Sequence, residues 1–377
     1  MPPTSATHRW LRRLQSEWLL VLFAVLASGL AVIDPQPWIK YRGWLQLPTL
    51  AGLLGLLIAI QGIRDSGVMQ RMAATLAARM HRVRTLGLLL VAGSALLSML
   101  LTNDVSLFLV VPLTVALGGI SNLPVLRMVV LEALAVNAGS TLSPIGNPQN
   151  LLLWQVSHVS FIDFVAAMLP AATVMLVLLL VFSWCWLPST HVDLDSRRID
   201  PGDTSPFLAT LSCIALTGMV LMIEHGHAVF GALLLLLSFG LLRRRTLASV
   251  DWWLLATFAA IFLGLGHLAG LPLVQHALGQ LDFSRPLILY ASGIVASQLI
   301  SNVPASVLLL ERVPDPLALA VAVNVGGFGL AIGSMANLIA LRLARQPHGV
   351  RQFHRVSIPF LLVCAPLAYL AWRCVTA

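Results

Sequence analysis

The sequence predicts an all-α polytopic membrane protein built from inverted repeats, with two re-entrant hairpins and two broken transmembrane helices. Three observations carry this expectation. Apolar residues gather in long runs, polar or Pro/Gly-rich breaks interrupt some of those runs, and the breaks recur in order in the two halves of the chain.

Of the 377 residues, 58% are hydrophobic and only 10% are charged. A soluble domain carries roughly a quarter of its residues as Asp, Glu, Lys and Arg, so this chain could not cover a water-facing surface. A helix crosses the hydrocarbon with about 20 mostly apolar residues, or fewer when its ends snorkel. Full crossings are expected at 18–33, 45–63, 128–157, 161–186, 207–222, 228–242, 251–268, 316–345 and 354–372. Two further apolar segments, 85–117 and 286–311, break at Thr102-Asn103-Asp104 and Ser301-Asn302-Val303. Unpaired backbone is expensive in hydrocarbon, so such a break suits a re-entrant hairpin whose tip is buried in protein or faces a water-filled cavity.

A net charge of +8 would ordinarily suggest a nucleic-acid partner. Here the basic residues lie in short segments between apolar runs, which excludes nucleic acid and points to loops at the surface of a lipid bilayer. With the N-terminus in the cytoplasm, 18 of the 23 basic residues fall inside, including Arg9, Arg12, Arg13, Arg197, Arg198 and Arg243–Arg245. Lys40, Arg42, Arg285, Arg312 and Arg373 fall outside. That bias sets the orientation expected in a bacterial-type inner (plasma) membrane. Arg9, Arg12 and Arg13 followed by the small residues at 26–31 also read like a signal peptide, but the repeat needs this segment as a retained helix. Cys185, Cys213, Cys364 and Cys374 lack metal-binding spacing and read as small apolar side chains. No Gly-rich nucleotide loop is present, which argues against direct ATP drive by this chain.

Residues 131–150 match 318–337 at an offset of 187, so that Asn137 meets Asn324, Gly146 meets Gly333 and Asn150 meets Asn337. Asn103 meets Asn302 at an offset of 199. The expected organisation is a first half at 1–190, with a hairpin at about 85–117 and a broken helix at about 128–157. A linker with an unpaired transmembrane helix follows at 191–227. The second half, 228–377, has its hairpin at about 286–311 and its broken helix at about 316–345. An odd number of crossings separates equivalent points, which inverts one half relative to the other. Inverted repeats with discontinuous helices are the architecture of secondary transporters, which bind near the midplane at the breaks.

Thr102, Asn103 and Asp104 are expected at membrane depth, where a carboxylate is costly and usually functional. Asp104 could ligate a cation, cycle a proton, or cap the second arm of its hairpin. Asn103 and its counterpart Asn302 offer both donors and an acceptor. In the first break, Pro144 and Pro148 lack N–H groups and Gly146 permits unusual dihedrals. Carbonyls released there suit a hard cation, and the following helix N-terminus favours an anion. Ser140, Thr141, Ser143, Asn147 and Asn150 add polar groups, and Gly326, Gly327, Gly329, Gly333, Ser334 and Asn337 offer a similar set in the second break. Glu132 either faces a polar cavity or snorkels beside Arg127. His225 and His227 are candidates for pH sensing in an outer loop.

Thr-Asn-Asp104, Pro-Ile-Gly-Asn-Pro-Gln-Asn150, Ser-Asn-Val-Pro304 and Ile-Gly-Ser-Met-Ala-Asn337 resemble the motifs of the ion transporter superfamily. That superfamily includes divalent-anion:sodium symporters, citrate transporters, arsenical pump membrane proteins and some sodium/proton antiporters. The resemblance runs from about 45 to 372. It implies an elevator-type homodimer, in which a scaffold makes the dimer contact while the hairpins and broken helices move. The symporters' Ser-Asn-Thr tips fall on Thr102, Asn103 and Asp104 and on Ser301, Asn302 and Val303. Sodium would then use Asn103, Asp104 and Gly146 on one side, and Asn302 and Gly333 on the other, with the anion between the tips. Ser143, Asn147, Asn150, Ser301, Ser334 and Asn337 complete the expected binding set. Val303 removes a hydroxyl and Asp104 adds a charge, departures that lean toward the arsenical pump and permease branches. Only one crossing precedes residue 45, so scaffold helices of larger relatives are missing. The expected function is ion-coupled transport, not enzymatic: symport of a small inorganic or carboxylate anion with Na+ or H+ and no cofactor. The alternative is an arsenite efflux protein or a cation/proton antiporter, favoured by the absence of an arginine at either break. A channel or membrane-embedded scaffold is the third class.

Overall fold

The structure is a computed structural model, and it describes residues 17–193 and 204–376. Arg9, Arg12, Arg13, Arg197 and Arg198, on which part of the charge count rests, lie outside the described residues. Helices α1 (Trp18–Ile33), α2 (Trp38–Trp44) and α3 (Leu47–Asp65) come first. Pro35 and Pro37 keep α1 from running into α2. Gly67, at φ +77°, turns the chain into α4 (Val68–Arg79). α5 (Val83–Leu100) and α6 (Asn103–Ile120) meet at the first polar triplet. Next come α7 (Val125–Ser140) and α8 (Pro148–Ser157), then α9 (Phe161–Trp186), capped by the Ser160 hydroxyl.

α10 (Pro206–Glu224), α11 (Ala228–Leu242), α12 (Arg244–Ala248), α13 (Trp252–Gly270) and α14 (Pro272–Gly279) lead into the second set. There α15 (Pro286–Ile300) and α16 (Asn302–Leu310) meet at the second triplet. α17 (Pro316–Val325) begins at an Asp315 cap and gives way to a short 3₁₀ turn, Ala331–Gly333. α18 (Met335–Ala344) and α19 (Gly349–Thr376) complete the chain. Apart from one isolated bridge between Arg82 and His191, the described residues contain no β structure.

Both triplets, the proline-bearing first break and the Gly-rich second break therefore interrupt helices where the sequence places them. Several details differ from expectation: α2, α4, α12 and α14 are helices outside the expected crossings, and α19 starts at Gly349 rather than 354. Polar residues such as Gln70, Arg71 and Arg79 interrupt the apolar pattern of α4, which hides it in the sequence. Among the described residues, seven helical stretches are long and apolar enough to cross a membrane: 38–65, α5, α6, α9, 206–223, α13 and most of α19. Both arms of the first triplet segment belong to this set, whereas α15 and α16 are shorter, at 15 and 9 residues.

Packing gathers the chain into two compact units that interleave in sequence: 1–65 with 210–280, and 66–209 with 281–377. In the first unit α1 lies against α13, and α3 against α11 and α13. Gly52, Gly55 and Gly62 of α3 leave room for Ile223, Met219 and Ser212 of α10. His267 is buried, with Nε2 3.3 Å from Asp34 Oδ2, and stacks on Trp44.

The second unit repeats its own contacts. α5 packs on α7 as α15 packs on α17; α6 packs on α18 as α16 packs on α8. α9 and α19, the last helix of each half, pack on one another. At the centre stand α7 and α17, with every residue from Met128 to Ser140 and from Ala318 to Val325 buried. Helices hydrophobic on all sides belong in such a core.

Candidate functional site

The two breaks in the second unit are joined by asparagines. Asn137 Nδ2, on α7, donates to Asn337 Oδ1 on α18 at 2.8 Å. Asn324 Nδ2, on α17, donates to Asn150 Oδ1 on α8 at 2.5 Å. The offset of 187 that aligns the halves turns one bond into the other. Each donor also bonds the carbonyl one turn back in its own helix: Asn137 to Ala133 at 3.0 Å, Asn324 to Ala320 at 2.7 Å. Each acceptor's amide pins carbonyls released by its break. Asn150 donates to Ser140, Thr141 and Ser143 at 3.0–3.1 Å, and Asn337 to Gly327 at 2.9 Å. Asn147 Nδ2 and Gln149 Nε2 add bonds to Asn324 Oδ1 at 2.9 and 3.5 Å. All these side chains are buried, so each broken helix recovers through amides the partners that its break removed.

Each hairpin tip leans on its own break, by different means. The Asn103 backbone N–H donates to the Gly146 carbonyl at 2.8 Å. In the second half Gln298 does the tying: its amide donates to the Gly326 and Phe328 carbonyls at 2.6 and 2.8 Å and accepts from Leu330 N–H at 2.7 Å. The tip asparagines behave alike. Asn103 Oδ1 accepts from the Asp104 N–H at 2.9 Å, and Asn302 Oδ1 from the Val303 N–H at 3.0 Å. Among the described residues no hydrogen bond uses either Nδ2. Ser301, with φ +71° and ψ 154°, holds a backbone conformation nearly confined to glycine.

Thr102, not Asp104, caps α6, its hydroxyl accepting from Val105 N–H at 3.4 Å. The Asp104 carboxyl is half-buried and has no hydrogen-bond partner among the described residues. Asn147 caps α8 by accepting from Asn150 N–H at 2.8 Å. Its counterpart Ser334 makes no cap, and among the described residues the buried Ser334 Oγ and Gln149 Oε1 have no hydrogen-bond partner. Ser143 Oγ accepts from Ile145 N–H at 3.3 Å. Glu132 does not snorkel: it is fully buried, and Oε1 accepts a bond from Thr114 on α6.

The structure thus brings Asn103 to Gly146 and links the two breaks. It engages Asn147, Asn150 and Asn337 in internal bonds. Asn137, Asn324, Gln149 and Gln298 were not among the expected site residues. Aligning Asn137 with Asn324 held the signal for the first two, since a buried amide in each of two matched helices needs a partner.

The α5–α7 contact depends on Gly139. A Cβ there would strike the Ala95 carbonyl oxygen, as one at Gly326 would sit 2.6 Å from Ser297 Cβ in the matched α15–α17 contact. Backbone cannot rotate aside. Gly139→Ala should therefore destabilise the protein by about 1–3 kcal/mol, read as a lower melting temperature in detergent. Gly93→Ala, on α5 with open space around it, should leave the melting temperature near that of the wild type.

A family model described as citrate transporter matches residues 10–316. The chain is similar to the inner membrane protein YbiR of Escherichia coli, 41% identical over 364 residues and 96% of either protein. It is 29% identical over 364 residues to an uncharacterized transporter of Methanocaldococcus jannaschii, covering 94% of this chain and 97% of that protein. Against the silicon efflux transporter LSI3 of Oryza sativa the identity is 32% over 127 residues, 34% of this chain and 26% of that protein. The family match over most of the chain, together with relatives covered almost completely, means that this protein belongs to the citrate transporter family of the ion transporter superfamily and is a multi-pass membrane transporter, not an enzyme.

Proposed function

We propose that the protein is a secondary active carrier of a small carboxylate or inorganic anion, coupled to a sodium or proton gradient, with the anion held between the two hairpin tips. The observation that carries this reading is the matched pair of tip amides, Asn103 and Asn302, each with its oxygen turned to its own helix and its Nδ2 donors unused. Four helices, α6, α8, α16 and α18, begin at the tips and breaks. Their N-termini favour negative charge in place of an arginine. Asp104 would repel an anion unless it holds a cation or proton. A coupling ion is assigned to Asp104, Asn103 and the Gly146 carbonyl, and a second to Asn302 and Gly333.

The bond from Asn103 to Gly146 supports a re-entrant reading of the first hairpin, because it holds the tip level with the interruption of a broken crossing. The second unit, which contains both hairpins and both breaks, is the moving body of an elevator; the first is the scaffold and homodimer contact. Similarity to YbiR, an inner membrane protein, supports placement in an inner membrane. Val303, the Asp104 charge and the similarity to a plant efflux transporter favour one second reading, efflux of a small oxyacid such as arsenite.

Proteoliposome uptake tests the proposal, with citrate, other di- and tricarboxylates, phosphate, sulfate, arsenite and silicic acid offered under independently varied sodium and pH gradients. Saturable, gradient-dependent accumulation of an anion is expected, and Asn103→Ala and Asn302→Ala should each reduce it while leaving the protein folded. Movement of arsenite or silicic acid alone would favour efflux. Wild-type uptake in both variants would move the site away from the tips.

A further inference from the structure

We infer that Glu132, together with Thr114, forms a proton-binding site inside the second unit, separate from the hairpin tips, whose proton exchanges as α6 and α7 part and re-pack. Glu132 has no exposed surface and lies in the most deeply buried stretch of α7. One carboxyl oxygen accepts from the Thr114 hydroxyl; the other, Oε2, has no hydrogen-bond partner among the described residues. An unpaired charge stripped of water and held by a single hydrogen bond is strongly disfavoured. The group must therefore be relieved by a counter-ion or a proton.

Among the described residues, the surrounding elements supply no counter-ion. On α7 itself, Arg127 stacks over Trp186, its Cζ 5.6 Å from the ring centre. On α5, Arg84 stacks over Trp184 and donates to the Leu187 carbonyl at 2.9 Å. α6 carries only Asp104, of the same sign, and α9 carries Asp163 and Cys185. Arg342 of α18 and Arg351, His354, Arg355, Cys364, Tyr369, Arg373 and Cys374 of α19 complete the titratable groups of the helices packed on α7, and none makes an ion pair with Glu132. α17, which also touches α7, carries no charged residue.

The fold itself does not require a carboxyl here. At the offset of 187 the equivalent residue is Leu319, also fully buried. One half fills this position with an apolar side chain, and the other with an acid. α18 packs against both α6 and α7, so the acid sits at a joint between the first hairpin's second arm, the first broken helix and a helix of the second half. An ionisable group at such a depth is a functional candidate by default.

Infrared spectroscopy of the protein in liposomes reads the carboxyl directly, whatever solute is carried, so failure of the transport reading and failure of this one are distinguishable. A band from a protonated carboxyl is expected, shifted in D2O and lost in Glu132→Gln. It should persist in Asp104→Asn and move to higher wavenumber in Thr114→Val, which removes the hydrogen bond. Glu132→Leu, copying the repeat equivalent, provides a second route to the same loss. A spectrum unchanged by both Glu132 substitutions would overturn the proposal, as would a Glu132 band that never shifts in D2O, since its proton would then be locked in place.

Discussion

Asn324→Ala is expected to abolish transport and lower stability by about 2–4 kcal/mol, because it leaves buried polar atoms unsatisfied at about 1–3 kcal/mol each. Asn324 accepts from Asn147 and Gln149 and donates to Asn150. Its removal strands Asn150 Oδ1 and weakens the hold on the α8 cap. Asn137→Ala removes one bond between the breaks, that to Asn337, together with the bond to the Ala133 carbonyl, and should cost about 1–3 kcal/mol. Thermal unfolding in detergent, followed by uptake at a temperature where both variants are folded, separates stability from transport. The double variant measures whether the clasps support one another, since a shared network departs from additivity. An Asn324→Ala protein that melts and transports like the wild type would remove the clasp from the mechanism.

The second large effect is expected at Asp104. Because Thr102 already caps α6, Asp104→Asn should not cost the helix its start, and the fold should persist. If the carboxyl couples transport to an ion, this variant loses gradient-driven accumulation but keeps solute counterflow, since the amide preserves size and one acceptor. A coupling free energy of about 1–3 kcal/mol corresponds to roughly a 5- to 150-fold loss of accumulation. Counterflow and gradient-driven uptake, measured side by side with sodium and pH varied separately, give the answer. Ion dependence equal to that of the wild type in both assays would return Asp104 to a structural part and shift coupling to the carbonyls near Gly146 and Gly333.

The large features of the second unit were legible because their residues leave the backbone little choice. Pro144 and Pro148 lack the N–H that a continuous helix needs, and α8 begins on Pro148. Gly326, Gly327 and Gly329 announce the second break by their clustering, and Gly329 takes a φ of +93° there. Side-chain destinations were less legible. Asn150 and Asn337 read as ligands because buried amides are polar, yet most of their capacity goes to carbonyls that the breaks release. Gln298 stands in the middle of an apolar run, and nothing nearby in sequence announces the carbonyls 28 and 30 residues later that it binds. Glu132 could be read two ways because α7 is apolar on every face, which leaves no moment to show which side meets water. The interleaving of the two units was likewise invisible to a search along the chain, since it is a property of packing between distant segments.

The clasp that joins the two breaks is made of neutral amides, and its response to added salt follows from that. Mobile ions weaken attraction between charges and leave dipole-to-dipole bonds at short range nearly untouched. The bonds from Asn137 to Asn337 and from Asn324 to Asn150 contain no charge to screen. Ionic strength alone should therefore leave the join between the breaks in place. A rise in melting temperature with sodium that choline at equal ionic strength does not reproduce would then report occupancy of a cation site by mass action. Salt composition becomes a thermometer for the bound ion, readable before any transported solute is known.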